Sequence, residues 1–329
     1  MSDLIIVGGG PVGLVVALHA QQAGLSITVI ERRRQPVAKA CGEGIMPAGL
    51  SILRALGVDP PGHEIEEIRY LDSSGSAETR FSAGVGRDVR RTTLQEHLTA
   101  ATGEATVVAG AVAAVSQDPA GVTVTLGDGR QLTVEYLVGA DGLRSTVRAT
   151  TSLDHPPPRT LGASGLRSLV RATASPDSIA PRPIDAGDLR SLVRATAGPD
   201  PTARRTIGAG GLRSLVRATA GLDLTARRRT GLSRHYRLAP WTSHVEVYWA
   251  DEAEAYVTPV ADDEINVAVL SARVGGFDEH LAAFPALPDR LADARPHPHS
   301  ARDRSASARR HAQAVGYCWS ATPRDMWTR

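Results

Sequence analysis

Residues 3–32 read DLIIVGGGPVGLVVALHAQQAGLSITVIER, and the order of patterns in them decides the fold. DLIIV is a short apolar run of the kind a buried parallel strand makes. GGGPVG, Gly8–Gly13, interrupts it. LVVALHAQQAG follows as an apolar-rich helix stopped at Gly24, and SITVIER is a second strand that closes on Glu31. Strand and helix patterns keep alternating outward from there to about residue 138, which predicts an α/β chain.

Each residue type in this unit has a physical task. Gly8 permits a tight turn, Gly10 leaves room for a pyrophosphate to reach the backbone, and Gly13 lets the helix pack close to the strand. The unpaired N–H groups and the dipole at the helix start favour phosphate charge. Glu31 ends the second strand, where a carboxylate can accept hydrogen bonds from a ribose. The glycines and the acid together predict a dinucleotide site without telling one dinucleotide from another.

Composition narrows the partners. The 329 residues are 42% hydrophobic, enough for a real core, and 37 basic residues nearly balance 35 acidic ones. That balance gives no case for nucleic acid or an anionic membrane. Two cysteines, Cys41 and Cys318, cannot build a disulfide framework and fit a reducing compartment. The opening MSDLIIVGGG carries an acid where a signal peptide carries positive charge. No apolar run reaches bilayer length. The expectation is a soluble cytoplasmic protein that acts on a small molecule, with no metal site and no membrane span; the oligomeric state is not legible.

Three further stretches lie in order along the chain: PVAKACG (Pro36–Gly42), continued by EGIMPAG; RTTLQEHL (Arg91–Leu98); and DGLRSTVR (Asp141–Arg148). With the opening unit they resemble the superfamily of FAD-dependent monooxygenases and geranylgeranyl reductases. The resemblance implies a Rossmann-type FAD-binding domain with a parallel sheet over residues 1–150, plus a smaller antiparallel-sheet substrate domain. It implies that Gly8, Gly10, Pro11, Val12, Gly13, Glu31 and Arg32 hold the ADP half of FAD, with Arg91, Asp141 and Gly142 nearer the flavin. It also implies NAD(P)H as electron donor and Cys41 on the substrate side. Taken singly, Arg91 is also readable as a solvated cation, Cys41 as a small buried apolar residue and Asp141-Gly142 as a turn. The segment around Cys41 leans towards reductases and the Asp-Gly motif towards hydroxylases, so double-bond reduction and monooxygenation of a small hydrophobic or aromatic substrate both stay open. So do an inactive, truncated remnant of such an enzyme and a non-catalytic nucleotide-binding protein.

From Gly139 the sequence repeats four times: GADGLRSTVRAT, GASGLRSLVRAT at Gly162, DAGDLRSLVRAT at Asp185 and GAGGLRSLVRAT at Gly208, a period of 23 residues. The copies lack the apolar stripe that stacked repeats need, so residues 139–230 are expected to be largely irregular, with three of the copies surplus. Only the first keeps Asp-Gly.

Beyond them, HVEVYWA (244–250), EAYVTPV (254–260) and EINVAVL (264–270) have strand composition with acidic turns. They predict an antiparallel meander over residues 231–285, where Trp249 and Tyr256 are candidates for the substrate pocket and equally for plain packing. GFDEHLAAFPAL (276–287) reads as a helix. Residues 286–329 are rich in Arg, Ala, Ser and His, show no period and are expected to be a disordered tail. The resemblance implies a Gly-Asp motif that is absent from residues 271–329. The codons of Tyr317–Trp327, read from the third base of each, permit Leu-Leu-Val-Gly-Asp-Ala-Ala-Gly, then His or Tyr, then Val-Asp. A frameshift between about Leu287 and His299 is therefore expected in the gene.

Overall fold

A computed structural model describes residues 2–103, 106–118, 121–142, 145–150, 206–208 and 230–297. The second and third repeat copies lie outside the described residues, as does nearly all of the fourth. So does the expected frameshifted stretch from residue 298 onward.

The opening unit folds as its pattern predicts. Strands β1 (Leu4–Val7), β2 (Ile27–Glu31), β8 (Thr106–Ala109), β12 (Tyr136–Gly139) and β13 (Thr206–Gly208) form a parallel sheet in the order β13-β12-β1-β2-β8. Alternation along β1 sends its side chains to two separate cores. Leu4 and Ile6 pack with Ala17 and Ala20 of helix α1 (Pro11–Gln22). Ile5 and Val7 pack with Val122, Val124 and Leu126 of an antiparallel meander, β9 (Val112–Asp118), β10 (Gly121–Leu126) and β11 (Gln131–Val134), which covers the other face. Helix, parallel sheet and meander thus make three layers. Burial on both faces is what allows β1 to be apolar at every position.

Helices α2 (Pro47–Ala55) and α3 (Arg91–Thr102) join α1 through Leu14, Leu18, Leu53 and Leu98. A small sheet of β3 (Gly44–Ile45), β7 (Gly86–Asp88) and β4 (His63–Ile65) leads towards the second large sheet. That sheet has seven strands in the order β18-β14-β17-β16-β15-β5-β6. They are β5 (Glu67–Leu71), β6 (Ser76–Arg80), β14 (Thr230–Arg237), β15 (Val245–Ala250), β16 (Ala253–Ala261), β17 (Glu264–Ser271) and β18 (Arg295–Pro296).

β15, β16 and β17 are the expected antiparallel meander. The division of the chain differs from expectation, however. Residues 67–80 fall within the first 150, yet β5 pairs parallel with β15, Ile68 opposite Val245. Ile68 is buried with Val245 and Val247, a contact that no local pattern announces.

The stretch 276–287 is not one helix but two short ones, α5 (Phe277–Leu281) and α6 (Ala286–Arg290), after α4 (Thr146–Thr150) earlier in the chain. Pro285 stands between α5 and α6; it lacks an N–H and disfavours helix in the residue before it. Residues 286–297 are also ordered, contrary to the expected start of the tail at 286. Leu287 and Leu291 are buried with Phe277, Leu281 and Phe284 against the β14–β17 face, and β18 pairs with β14. Two leucines four apart in a polar stretch are a weak signal alone, but they fill a cleft that the sheet creates.

Candidate functional site

The carboxyl ends of β1, β2 and β12 open onto a cleft of about 790 Å³, including its solvent-open part. Gly8, Gly10, Glu31, Arg32, Arg91, Asp141 and Gly142 all line it. A cleft at the strand ends of an open α/β sheet is where such sheets bind ligands.

The glycine loop is shaped by close approaches. Gly8 adopts φ +113°, and a Cβ there would stand 2.3 Å from the carbonyl oxygen of Ala140. A Cβ on Gly13 would stand 1.8 Å from the Gly8 carbonyl oxygen, so Gly13 serves packing and does not line the cleft. Gly10 differs: the nearest atom to a Cβ there is Nη2 of Arg91 at 3.9 Å. The space above Gly10 therefore faces the N-terminus of α1 on one side and a guanidinium on the other. Pro11 takes the first position of α1 and Val12 is 56% exposed; neither lines the cleft.

Glu31 ends β2 with both oxygens engaged at the loop. Oε2 accepts from the Gly9 N–H at 2.8 Å and Oε1 from the Arg33 N–H at 2.9 Å. Arg91 opens α3; its guanidinium donates to the Val37 carbonyl, and its backbone N–H donates to Glu43 Oε1 at 2.8 Å. Burial pulls the guanidinium down from its ordinary value, while Cys41, Glu43 and Glu31 pull it back up. Lys39 also lines the cleft; burial lowers its ammonium first, and the charges of Arg33 and Arg91 lower it further. Four cations, Arg32, Arg33, Lys39 and Arg91, thus line the cleft against two carboxylates, Glu31 and Asp141.

Asp141 follows β12. Its Oδ2 accepts from the N–H of Thr146 at 2.6 Å, at the start of α4. Its Oδ1 is buried with no partner among the described residues. An orphaned buried carboxylate oxygen is costly, and a ligand hydroxyl would satisfy it. Room above Gly10, excess positive charge and this orphan oxygen fit a nucleotide with a pyrophosphate and a polyol chain, which is what FAD is.

Sequence reasoning missed several residues here. Gln95 donates Nε2–H to the Gly9 carbonyl at 2.7 Å and accepts from the Val37 N–H at 2.8 Å, while Gln35 donates to the same Gly9 carbonyl at 2.8 Å. Gln95 sits four residues after Arg91, so helical spacing could have put it on the same face. Lys39, Arg33 and Glu43 carried no such signal.

The three substrate candidates do not line this cleft. Cys41 is half-buried; its carbonyl accepts from Asn266 Nδ2 at 2.9 Å. The ring of Trp249 lies 5.1 Å from that of Tyr70, and the Tyr256 hydroxyl donates to Glu254 at 2.7 Å. Both aromatic residues pack with Met46 around Ile68, Val245 and Val247. Among the described residues there is no cluster of metal-ligating side chains, and no helix is long and apolar enough to cross a membrane.

A sequence family described as the FAD binding domain matches residues 1–182. Rifampicin monooxygenase of Streptomyces venezuelae is 31% identical over 172 residues, which cover 47% of this chain and 35% of that protein. The chain spans less than half the length of the curated relatives it matches. Among solved structures, a flavin-dependent halogenase gives a TM-score of 0.60 at 16% identity, over 90% of this chain and 48% of its own. A geranylgeranyl bacteriochlorophyll reductase-like protein from Thermoplasma acidophilum gives 0.54 at 16% identity, over 90% of this chain and 64% of its own. These two likenesses establish a shared fold.

Proposed function

From a chain that belongs to the FAD binding domain family, we infer a flavin-dependent oxidoreductase of the monooxygenase kind, reduced by NAD(P)H and acting on a small hydrophobic or aromatic substrate. The observation that carries the reading is the gap between Gly10 and the Arg91 guanidinium, at the N-terminus of α1. FAD, when bound, supplies the hydride and oxygen chemistry that amino-acid side chains lack.

The chain's own residues bind and orient. The N–H groups at the start of α1 and the Arg91 guanidinium hold the pyrophosphate charge. Glu31 keeps its loop closed through Gly9 and accepts from ribose hydroxyls with its remaining lone pairs. Asp141 caps α4 with Oδ2 and offers Oδ1 to a ligand hydroxyl. Lys39 adds positive charge inside the cleft. The apolar group of Met46, Tyr70, Trp249 and Tyr256 on the seven-stranded sheet is the surface we infer for an apolar substrate.

A second reading is nucleotide binding without turnover, because the family match over residues 1–182 is to a cofactor-binding domain. One experiment separates the readings. The purified full chain is mixed with FAD, passed through gel filtration and read by visible absorbance. Flavin retained near one equivalent, followed by NAD(P)H-dependent bleaching, supports the oxidoreductase. Retained flavin that NAD(P)H does not bleach supports binding without turnover. A folded chain that elutes colourless overturns the FAD assignment.

A further inference from the structure

Helix α3 starts without a cap of its own. Its N-cap residue, Arg90, makes no side-chain capping bond, and no acid lies in its first turn. The unpaired N–H groups of a helix start attract a carboxylate. Here that carboxylate arrives from 48 residues earlier: Glu43 Oε1 accepts the Arg91 N–H at 2.8 Å. The other Glu43 oxygen, Oε2, lies 2.7 Å from His235 Nε2 on β14 of the seven-stranded sheet.

Glu43 is held in a conformation its residue type rarely adopts, at φ +62°, and is buried. Such a backbone persists only where its surroundings over-determine it. They do so here. The Cys41 carbonyl accepts from Asn266 of β17, the Gly42 carbonyl from Thr258 of β16, and the Glu43 carbonyl from the Val89 N–H. Three successive residues are tied to the second sheet or to the strand leading into α3. Asp88, also buried, has no partner for either carboxyl oxygen among the described residues. Burial first, and then the Glu43 charge, push its carboxyl well above the usual range.

The geometry points to Glu43 and His235 as a positioning pair that holds Arg91 at the anion end of the cleft, so that cofactor affinity depends on a residue of the seven-stranded sheet. Neither residue lines the cleft; both act through Arg91. The inference rests on the FAD-binding reading.

The test is FAD affinity of the full chain, followed by quenching of flavin fluorescence, in a double-mutant cycle. Glu43→Ala is expected to weaken binding about tenfold, the scale of one lost charge-assisted hydrogen bond. Glu43→Gln, which can still accept from the Arg91 N–H while donating to His235, should stay within about twofold of wild type. His235→Ala should weaken binding about threefold. Once Arg91 is replaced by Ala, Glu43→Ala should cost no further affinity. Wild-type affinity in Glu43→Ala, or losses that simply add to those of Arg91→Ala, would overturn the pair while leaving the FAD reading intact. A wild-type chain that does not bind FAD sinks both. If Glu43→Ala does not fold, the same cycle is run with His235→Ala, and additivity there overturns the proposal.

Discussion

Gly139 and Gly208 lie opposite each other across the parallel pair β12–β13. Each is the first residue of a copy of the 23-residue repeat, the first copy and the fourth. Leu137 and Val138 pair with Thr206 and Ile207 in the same register. The sheet therefore aligns the run-in to the last copy with the run-in to the first, three periods away. One piece of the insert is structural after all: it supplies the edge strand beside β12.

This relationship predicts two different deletions. Removing residues 151–196 takes out two copies and keeps β13. Removing residues 151–219 takes β13 as well and uncovers the outer edge of β12, a template for pairing with another chain. The first variant should melt within about 5 °C of the full chain, because shortening a connection alone costs little. The second should aggregate on size-exclusion chromatography. A monomeric, stable second variant would show that β13 contributes nothing.

The glycines of the loop should separate into two classes. Gly13→Ala forces a Cβ to 1.8 Å from a backbone oxygen. Relieving that clash should cost on the order of 2–3 kcal/mol of stability, seen as a lower melting temperature without ligand. Gly10 has φ −79° and a Cβ there would meet no atom nearer than 3.9 Å, so Gly10→Ala should leave the fold unaffected. Its FAD affinity should nevertheless fall about tenfold or more, since the methyl group enters the space we propose for the pyrophosphate. Equal loss of stability in both variants would contradict the assignment of Gly10.

Asp88 should make stability depend on pH in a definite direction. Its folded-state pKa is raised above the ordinary carboxylate value of 3.8 by burial and by Glu43. The folded chain thus keeps a proton that the unfolded chain releases, and stability present below pH 3.8 is lost as pH rises through the folded value. Asp88→Asn keeps the neutral shape and cannot ionise. It should melt above wild type at pH 7, with the difference closing as pH approaches about 4. Thermal melts across that range decide it, and a lower melting temperature at pH 7 would mean the carboxylate is used in its charged form.

Leu287 tests where the folded part extends. It is fully buried beneath the β14–β17 face. Leu287→Ala should cost about 2–5 kcal/mol, as large-to-small changes in a packed core do. Urea unfolding measures this directly, and a cost under about 0.5 kcal/mol would mean that residues 286–297 do not belong to the core.

What is legible in the sequence is what short windows encode. Strand, glycine turn, helix and closing acid from Leu4 to Glu31 specify one another within a few residues, so that window alone spells out the floor of the cleft. The β15–β17 meander is legible for the same reason, as each strand turns directly into the next. The Asp-Gly motif at Asp141 is legible as well, though not that Oδ1 is left without a partner among the described residues.

The sequence by itself determined the α/β beginning and its glycine loop, and through the family resemblance named Glu31, Arg91 and Asp141 as candidates; the structure places all three at the cleft. Only the tertiary structure decided that β5 crosses to the second sheet, that β13 closes the first, and that Trp249 and Tyr256 lie away from the cleft. It alone brought Gln95 to Gly9 across 86 residues and Glu43 to His235 across 192. The physical reason is range. Backbone propensity and side-chain period act over one or two turns. A buried carboxylate, a shared carbonyl or an open sheet edge takes whatever partner the packed chain delivers, and that delivery is a property of the whole fold.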